Sequence, residues 1–294
     1  MTHYVKTLRE SGGRPPGLMV GLDLSSRSDT FGIFCLGHFR GQYEHLIRHK
    51  FSTLGAKLDE FVEQLPDPGT DAQFDVLVEQ AEAAHAQDRY LLFGWWRLFF
   101  ERPWGIRGMQ NLLLDYYLEP DNVHRLSEAL CDMYCGYIER CVREFRPDGF
   151  WTSDDLGHQK QLFMQPELFR AFIKPTYARI GAVCREQGVH WWLHSCGNNT
   201  DIMGDLAEVG LDVFHPVQKG TMDEVAIARE YGDTLTFLVG IDVQHTLQER
   251  DPAGVREEVR FLIDTFDRPE GGMCIAAGMS KYLPDPVRYN LRPS

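Results

Sequence analysis

The residues best suited to chemistry stand where an apolar run ends, in WWLHSCGNN (191–199), which places His194 and Cys196 one residue apart. In an extended segment residues i and i+2 point to the same side, so both side chains can face one ion. Imidazole and thiolate together suit zinc, and a catalytic zinc takes three protein ligands and leaves a fourth position open. A plainer interpretation stays open, in which His194 is a hydrogen-bonded rim residue and Cys196 a small filler, because two ligands do not make a zinc site.

The elements that must position this pair are short apolar runs alternating with helical patterns. The runs predict strands over residues 18–24, 90–96, 149–153, 189–194, 211–215, 235–240 and 272–278, and the longest helical patterns cover 120–145, 165–188 and 251–266. Strand and helix in alternation are typical of a parallel sheet with crossover helices. No Gly-rich phosphate-binding stretch follows the first run, which favours an α/β fold of the closed (β/α)8 TIM-barrel type over a doubly wound sheet.

Polar residues gather where the predicted strands end. They occur in DDLGHQ (154–159), HSCGNN (194–199), HPVQ (215–218) and IDVQH (241–245). In barrels of this type the chemistry lies at the carboxyl ends of the strands, so these stretches are expected to meet at one rim. Asp155 is predicted to act there as a general acid or base, or to orient His194, with Asp154 as the second candidate. Alternatively, consecutive Asp residues at a strand end simply cap a helix.

Composition bounds the class of protein. The chain has 294 residues, of which 43% are hydrophobic, and a formal net charge of -13, which argues against a protein that coats nucleic acid. No stretch approaches the ~20 apolar residues of a membrane span, and the N-terminus lacks the apolar core of a secretory signal. The seven cysteines are odd in number and scattered, so reduced thiols in a cytoplasmic protein are expected rather than a disulfide framework.

The N-terminal part fits the barrel pattern less well than the rest. Residues 30–51 are predicted to form a hairpin or irregular lid, and LPDPGTD (65–71) a linker. We therefore expect one domain over residues 1–294, with an irregular part and lid over 1–85 and the barrel core over 86–294. The N-terminal segment is expected to be diverged or shortened.

Several stretches together resemble a known family. GFWTSDDLGHQKQLFMQPELFRAFIKP, WWLHSCGNNTDIMGDLAEVGLDVFHPVQ and TFLVGIDVQHTL are similar to the uroporphyrinogen decarboxylase superfamily, in particular its methylcobamide and corrinoid methyltransferase branch. The resemblance runs from about residue 88 to the end and implies a (β/α)8 barrel with a deep cleft. It also implies a zinc methyltransferase that moves a methyl group between a partner corrinoid protein carrying methylcobamide and a thiol, or a methoxy or methylamine compound.

The resemblance further implies a distant Cys as the third zinc ligand, in or after the last strand. Cys274 lies there at a separation from Cys196 close to that of the family, whereas the motif register puts Met279 at the ligand position. If Cys274 is a packed core residue, Asp155 or Asp154 is expected to supply an oxygen ligand instead.

Further polar positions resemble residues that line the family's cleft. Those expected to contact substrate are Asp29, His158, Gln159, Gln218, Asp242, Gln244 and Met279. His158 has the alternative of a solvated loop residue, and Asp29 that of a turn residue. His215 and His245 are expected to be supporting residues rather than ligands. A homodimer is also compatible with the resemblance.

Two other functions remain open at the level of sequence. One is a metal-independent decarboxylase of uroporphyrinogen or another polycarboxylate, although the early region offers only Arg14 as a poor match to the Arg residues that such enzymes need. The other is a barrel that has lost activity and serves as a binding subunit.

Overall fold

The fold is a parallel sheet whose strands follow one another in chain order. The computed structural model describes residues 32–35, 53–55, 58–70, 78–249 and 251–276. Its seven described strands are β1 (Gly32–Cys35), β2 (Leu91–Trp95), β3 (Gly149–Ser153), β4 (His190–His194), β5 (Val213–His215), β6 (Thr236–Gly240) and β7 (Met273–Ala276). They pair in the order β1 to β7, each parallel to the next. This is the strand order of the predicted (β/α)8 TIM barrel.

Helices fill the crossovers between successive strands. Those described are α1 (Leu58–Glu63), α2 (Val78–Ala86), α3 (Glu101–Arg107), α4 (Met109–Leu118), α5 (Pro120–Phe145), α6 (Lys174–Gln187), α7 (Met203–Glu208), α8 (Glu224–Tyr231), α9 (Thr246–Glu249) and α10 (Pro252–Phe266). A short helix, Pro166–Leu168, and a π-helical turn, Phe169–Ile173, lead into α6, and a 3-10 turn, Thr200–Ile202, leads into α7.

The helix boundaries follow the stop and start signals of the sequence. Pro120 stands in the first turn of α5, where the missing N–H costs nothing. Gly188 ends α6 with φ 70°, a left-handed conformation that glycine adopts without a steric penalty. The side chain of Asp251 accepts a hydrogen bond from the N–H of Gly254 at 2.9 Å and so caps α10.

Strands β2 and β3 are buried on both faces, which explains their continuous apolar runs. In β3 and β4 successive residues alternate between the helix layer and the barrel interior. Phe150 and Trp191 belong to the core that packs against the helices. Trp151 and Trp192 alternate with them and lie with ring centroids 6.4 Å apart, so indoles fill the interior below the rim.

Strand β1 corrects one expectation. Gly32–Cys35 falls in the segment predicted as a hairpin or lid, yet it pairs in parallel with β2, from Gly32 opposite Leu91 to Cys35 opposite Gly94. A run of four apolar residues is too short for its pattern alone to distinguish a hairpin arm from a sheet strand. The strand predicted over 18–24 lies outside the described residues, and the domain division at residue 85 stays a prediction.

None of the helices in the described part of the chain combines the length and the hydropathy that a bilayer span requires.

Candidate metal centre

Three side chains of different chemistry meet at the carboxyl ends of β3 and β4. Asp155 follows β3, His194 ends β4, and Cys196 comes two residues later; Ser153 of β3 is paired in register with His194. The His194 Nε2 atom lies 3.3 Å from the Cys196 Sγ atom and 3.4 Å from the Asp155 Oδ1 atom. All three ligand atoms lie within 4.8 Å of one another. The sheet register therefore brings together an imidazole, a thiol and a carboxylate that the sequence separates by up to 41 residues.

The spacing and chemistry of these atoms fit a zinc ion. Typical zinc bond lengths place nitrogen and oxygen ligands of a tetrahedral site about 3.4 Å apart, and nitrogen and sulfur ligands about 3.6 Å apart. The two distances measured from the His194 Nε2 atom are close to these ligand-to-ligand distances. Three protein ligands from this set leave the fourth position that a catalytic zinc uses.

His215 supports His194 from the neighbouring strand. The two Nδ1 atoms are 2.6 Å apart, so one nitrogen donates and the other accepts. Burial, together with the charge of His194, holds the pKa of His215 well below its usual range, which makes it the neutral acceptor. Burial would lower the pKa of His194 as well, but Asp155 and Cys196 outweigh that effect and raise it to about 9. With Nδ1 occupied by His215, the Nε2 atom of His194 is the one aimed at the cluster.

Backbone contacts hold Asp155 and Cys196 together. The Cys196 N–H donates to the Asp155 Oδ1 atom at 2.9 Å. Burial alone would raise the pKa of Asp155, but the hydrogen bonds from His194 and from the Cys196 backbone lower it below its ordinary value. The carboxylate is thus held in its ionised form, which is the form that binds metal.

A close approach of two loops fixes the position of Cys196. Gly197 has φ 81°, and a Cβ atom there would lie 2.3 Å from the carbonyl carbon of Gly157. Only a glycine fits this contact, which presses the loop after β4 against the loop after β3. The Gly197 N–H donates to the Gln218 Oε1 atom at 2.8 Å, so the loop after β5 fastens the same turn. Gln218 therefore supports the cluster through the backbone.

Asp154 occupies a different place from Asp155, and the catalytic role predicted for it stays a prediction. Its carboxylate is completely buried and accepts hydrogen bonds at 2.7–3.1 Å from the N–H groups of Phe99, Phe100 and Glu101 and from the Tyr177 hydroxyl. Burial, together with the charge of Glu101, raises the pKa of Asp154 to about 7 in spite of these hydrogen bonds. Asp154 anchors the start of α3 and does not face the cleft.

Cys274 is also placed away from the cluster. It is completely buried in β7, where Met273 and Ile275 pack with the helices and Cys274 alternates toward the barrel interior. Burial raises the pKa of its thiol to about 12. Among the described residues the group that could hold a metal ion is Asp155, His194 and Cys196, without Cys274. Which residue is the third ligand stays a prediction.

The remaining polar positions of the sequence prediction lie around the same rim. The Asp242 Oδ1 atom accepts from the N–H of Gln244 at 2.7 Å and shapes the turn after β6, while the Gln244 side chain is exposed. His158 packs against Phe163 with ring centroids 5.6 Å apart. Gln159 is exposed in the same loop. Their roles toward substrate stay predictions, and Asp29 and Met279 lie outside the described residues.

Two further residues lie at this rim, and the sequence analysis missed the first of them, Glu101. Glu101, the first residue of α3, accepts a hydrogen bond from the Ser153 hydroxyl at 3.1 Å. Burial and the neighbouring Asp155 raise the pKa of its carboxyl group. Trp96 directly follows β2, is 42% exposed, and presents its ring at a steep angle to His194 with centroids 5.6 Å apart. The signal for Glu101 was its position shortly after the predicted strand 90–96, whereas Trp96 is the last residue of that predicted strand and its residue type also fits ordinary packing.

Comparisons with known proteins bear on the family and the fold. The family model described as Uroporphyrinogen decarboxylase (URO-D) matches residues 104–279, which is more than half of the chain and includes the whole cluster. No curated protein matches the sequence.

Among solved structures, a methyltransferase from Methanosarcina mazei is similar with a TM-score of 0.58 and 15% identity, over 74% of this chain and 62% of that one. A B12-independent methionine synthase from Shewanella sp. W3-18-1 has a TM-score of 0.46 and 14% identity, over 73% of this chain and 63% of that one. The chain thus spans less than two thirds of the length of either structure. At this identity the likeness concerns the fold.

Proposed function

The chain belongs to the uroporphyrinogen decarboxylase family, and from that premise we propose that it is a zinc-dependent methyltransferase. In this proposal it moves a methyl group between a corrinoid protein that carries methylcobamide and a thiol, or a methoxy or methylamine compound. The observation that carries the proposal is the cluster of Asp155, His194 and Cys196, with ligand atoms within 4.8 Å of one another at the carboxyl ends of the strands.

The three side chains have separate tasks in holding the ion. His194 would bind through Nε2, Cys196 as a thiolate and Asp155 through a carboxylate oxygen. Bound zinc supplies a Lewis acid that lowers the pKa of a substrate thiol, so that the thiol is a thiolate at neutral pH. The charges of Asp155 and Cys196 balance those of the ion, which leaves the substrate sulfur the more nucleophilic.

The surrounding residues keep this arrangement ready. His215 accepts the Nδ1 proton of His194 and thereby fixes the ring orientation and the tautomer. Gln218 holds the Gly197 N–H and so the turn that carries Cys196. Trp151, almost completely buried, lies with its ring centroid 5.9 Å from that of His194 and excludes water from below. The rim, at the carboxyl ends of the strands, is where a corrinoid partner would dock.

Metal content tests the proposal most directly. We expect about one zinc per chain in protein purified with zinc available, measured by inductively coupled plasma mass spectrometry. Cys196→Ala should lose the metal, and Cys274→Ala, which removes a thiol outside the cluster, should retain it. Methyl transfer from free methylcobalamin to a small thiol should require the metal and Cys196.

Two results would contradict this assignment. One is wild-type protein without zinc after exposure to it, and the other is full zinc content in Cys196→Ala. Loss of carboxylate groups as CO2 from a polycarboxylate by metal-free protein would establish the alternative decarboxylase. Zinc bound without methyl transfer would favour the binding subunit.

A further inference from the structure

Trp96 closes one side of the space above the candidate metal centre. Strand alternation turns Trp95 toward the helix layer, where it stacks on Tyr134 with centroids 5.0 Å apart, and Trp96 toward the barrel interior. The intervening position on β3 is Ser153, whose side chain is small, so the indole of Trp96 reaches His194 two strands away. Trp151 lies beneath, with its centroid 6.5 Å from that of Trp96.

The backbone that carries Trp96 is fixed, although the side chain is partly exposed. The Trp96 carbonyl accepts a hydrogen bond from the Arg102 Nη2 atom at 3.1 Å. The next carbonyl, of Arg97, accepts from the hydroxyl of buried Tyr134 at 2.7 Å. Arg97 itself has φ 72°, an unfavourable conformation for a residue with a side chain. A strained backbone held by buried partners at the edge of a site is typical of positions selected for function.

We infer that Trp96 determines specificity by limiting the size of the group that binds beside His194. This inference rests on the proposed function and narrows its substrate class to short thiols with little bulk next to the sulfur atom. The described residues that border this space are the two indoles, with Trp151 below, and the three ligand side chains, and they form a cup with an apolar ring on two sides. An unbranched carbon next to the sulfur fits such a cup, whereas a fully substituted carbon meets the edge of the Trp96 ring.

Cobalt(II) offers a spectroscopic test that does not depend on turnover. Bound in place of zinc, it reports a tetrahedral site and an added thiolate by visible and near-ultraviolet absorption. Ethanethiol and 2-methylpropane-2-thiol would be titrated into cobalt-loaded wild-type protein and Trp96→Ala, with Trp104→Ala as the matched control. Trp104 packs against Phe100 and Phe163, and within the described part of the chain its ring stacks on none of the cluster's side chains, so its variant removes an indole without enlarging the cup.

The measured quantity is the ratio of the dissociation constants of the two thiols for each variant. Intrinsic differences between the thiols affect this ratio equally in every variant, so they cancel when variants are compared. We expect the preference for ethanethiol to fall about tenfold or more in Trp96→Ala, to fall less in Trp96→Phe, and to stay as in wild type in Trp104→Ala. A ratio unchanged within about twofold in cobalt-loaded Trp96→Ala, or an equal change in Trp104→Ala, would overturn the inference. Failure of wild-type protein to bind cobalt would instead overturn the proposed function on which it rests.

Discussion

Removal of the His215 imidazole should weaken zinc binding without removing a ligand. His194 would then have a buried Nδ1 atom with no protein partner at 2.6 Å, and its ring would lose the contact that aims Nε2 at Asp155 and Cys196. Hydrogen-bonding partners of metal-bound histidines typically contribute 10–100-fold in metal affinity, or about 1.4–2.8 kcal/mol. Because His215 is partly buried and packs against Trp151 with ring centroids 5.2 Å apart, we expect His215→Ala to fall in the upper part of that range.

Competition with a chromophoric chelator at constant pH would measure this loss. His215→Asn offers an amide oxygen as an alternative acceptor and should recover part of the affinity. His245→Ala removes an exposed imidazole at the same rim and should leave zinc affinity unchanged. A loss of less than about threefold in a folded His215→Ala protein would refute the reasoning, because a supporting hydrogen bond is expected to contribute at least tenfold.

Three further changes have clear expected outcomes. In metal-free protein the pKa of His194 is raised to about 9, so its protonated form stabilises the fold. This contribution is fully present below the unfolded pKa of about 6.5 and is lost as the pH rises through about 9. Urea unfolding over this pH range should show the corresponding fall in the free energy of unfolding for wild type and not for His194→Gln. Asp154→Ala should lower the free energy of unfolding by about 3 kcal/mol or more in the same assay, because it orphans three buried N–H groups. Gly197→Ala should weaken zinc binding about tenfold or more, because its Cβ would clash with Gly157. Gly220→Ala, which is also at positive φ but has no neighbouring atom within 4 Å, should leave zinc affinity unchanged. Equal zinc affinities of the two variants in the chelator assay would contradict this prediction.

The sequence predicted most of the barrel because its local signals agree with its fold. β3 covers residues 149–153 as predicted, and α5 covers 120–145, where a proline start and a strong amphipathic pattern leave little ambiguity. β1 was assigned wrongly because four apolar residues carry no period long enough to read. Whether such a short segment forms a sheet strand depends on its pairing with a strand far along the chain, and the local sequence does not contain that information.

The site was predictable in part, for a related reason. His194 and Cys196 were predictable because two residue types that bind zinc stand two positions apart, the spacing at which side chains of an extended segment face the same side. The choice between Cys274 and Asp155 as their neighbour depends on how the strands are staggered, and no local pattern contains that information. Asp154 and Asp155 look alike in the sequence, yet the N–H groups at the start of α3 bind one and leave the other to the cleft.

The short contact between His194 and His215 also supplies a natural reporter. A proton held in a short, partly buried hydrogen bond between two imidazole nitrogens is expected to resonate downfield of the amide envelope in a one-dimensional proton NMR spectrum. Its chemical shift depends on the charge at the far side of the His194 ring, so metal-free and metal-loaded protein should give separate lines. The occupancy of the centre could then be followed in intact protein, without a label, by a single resonance.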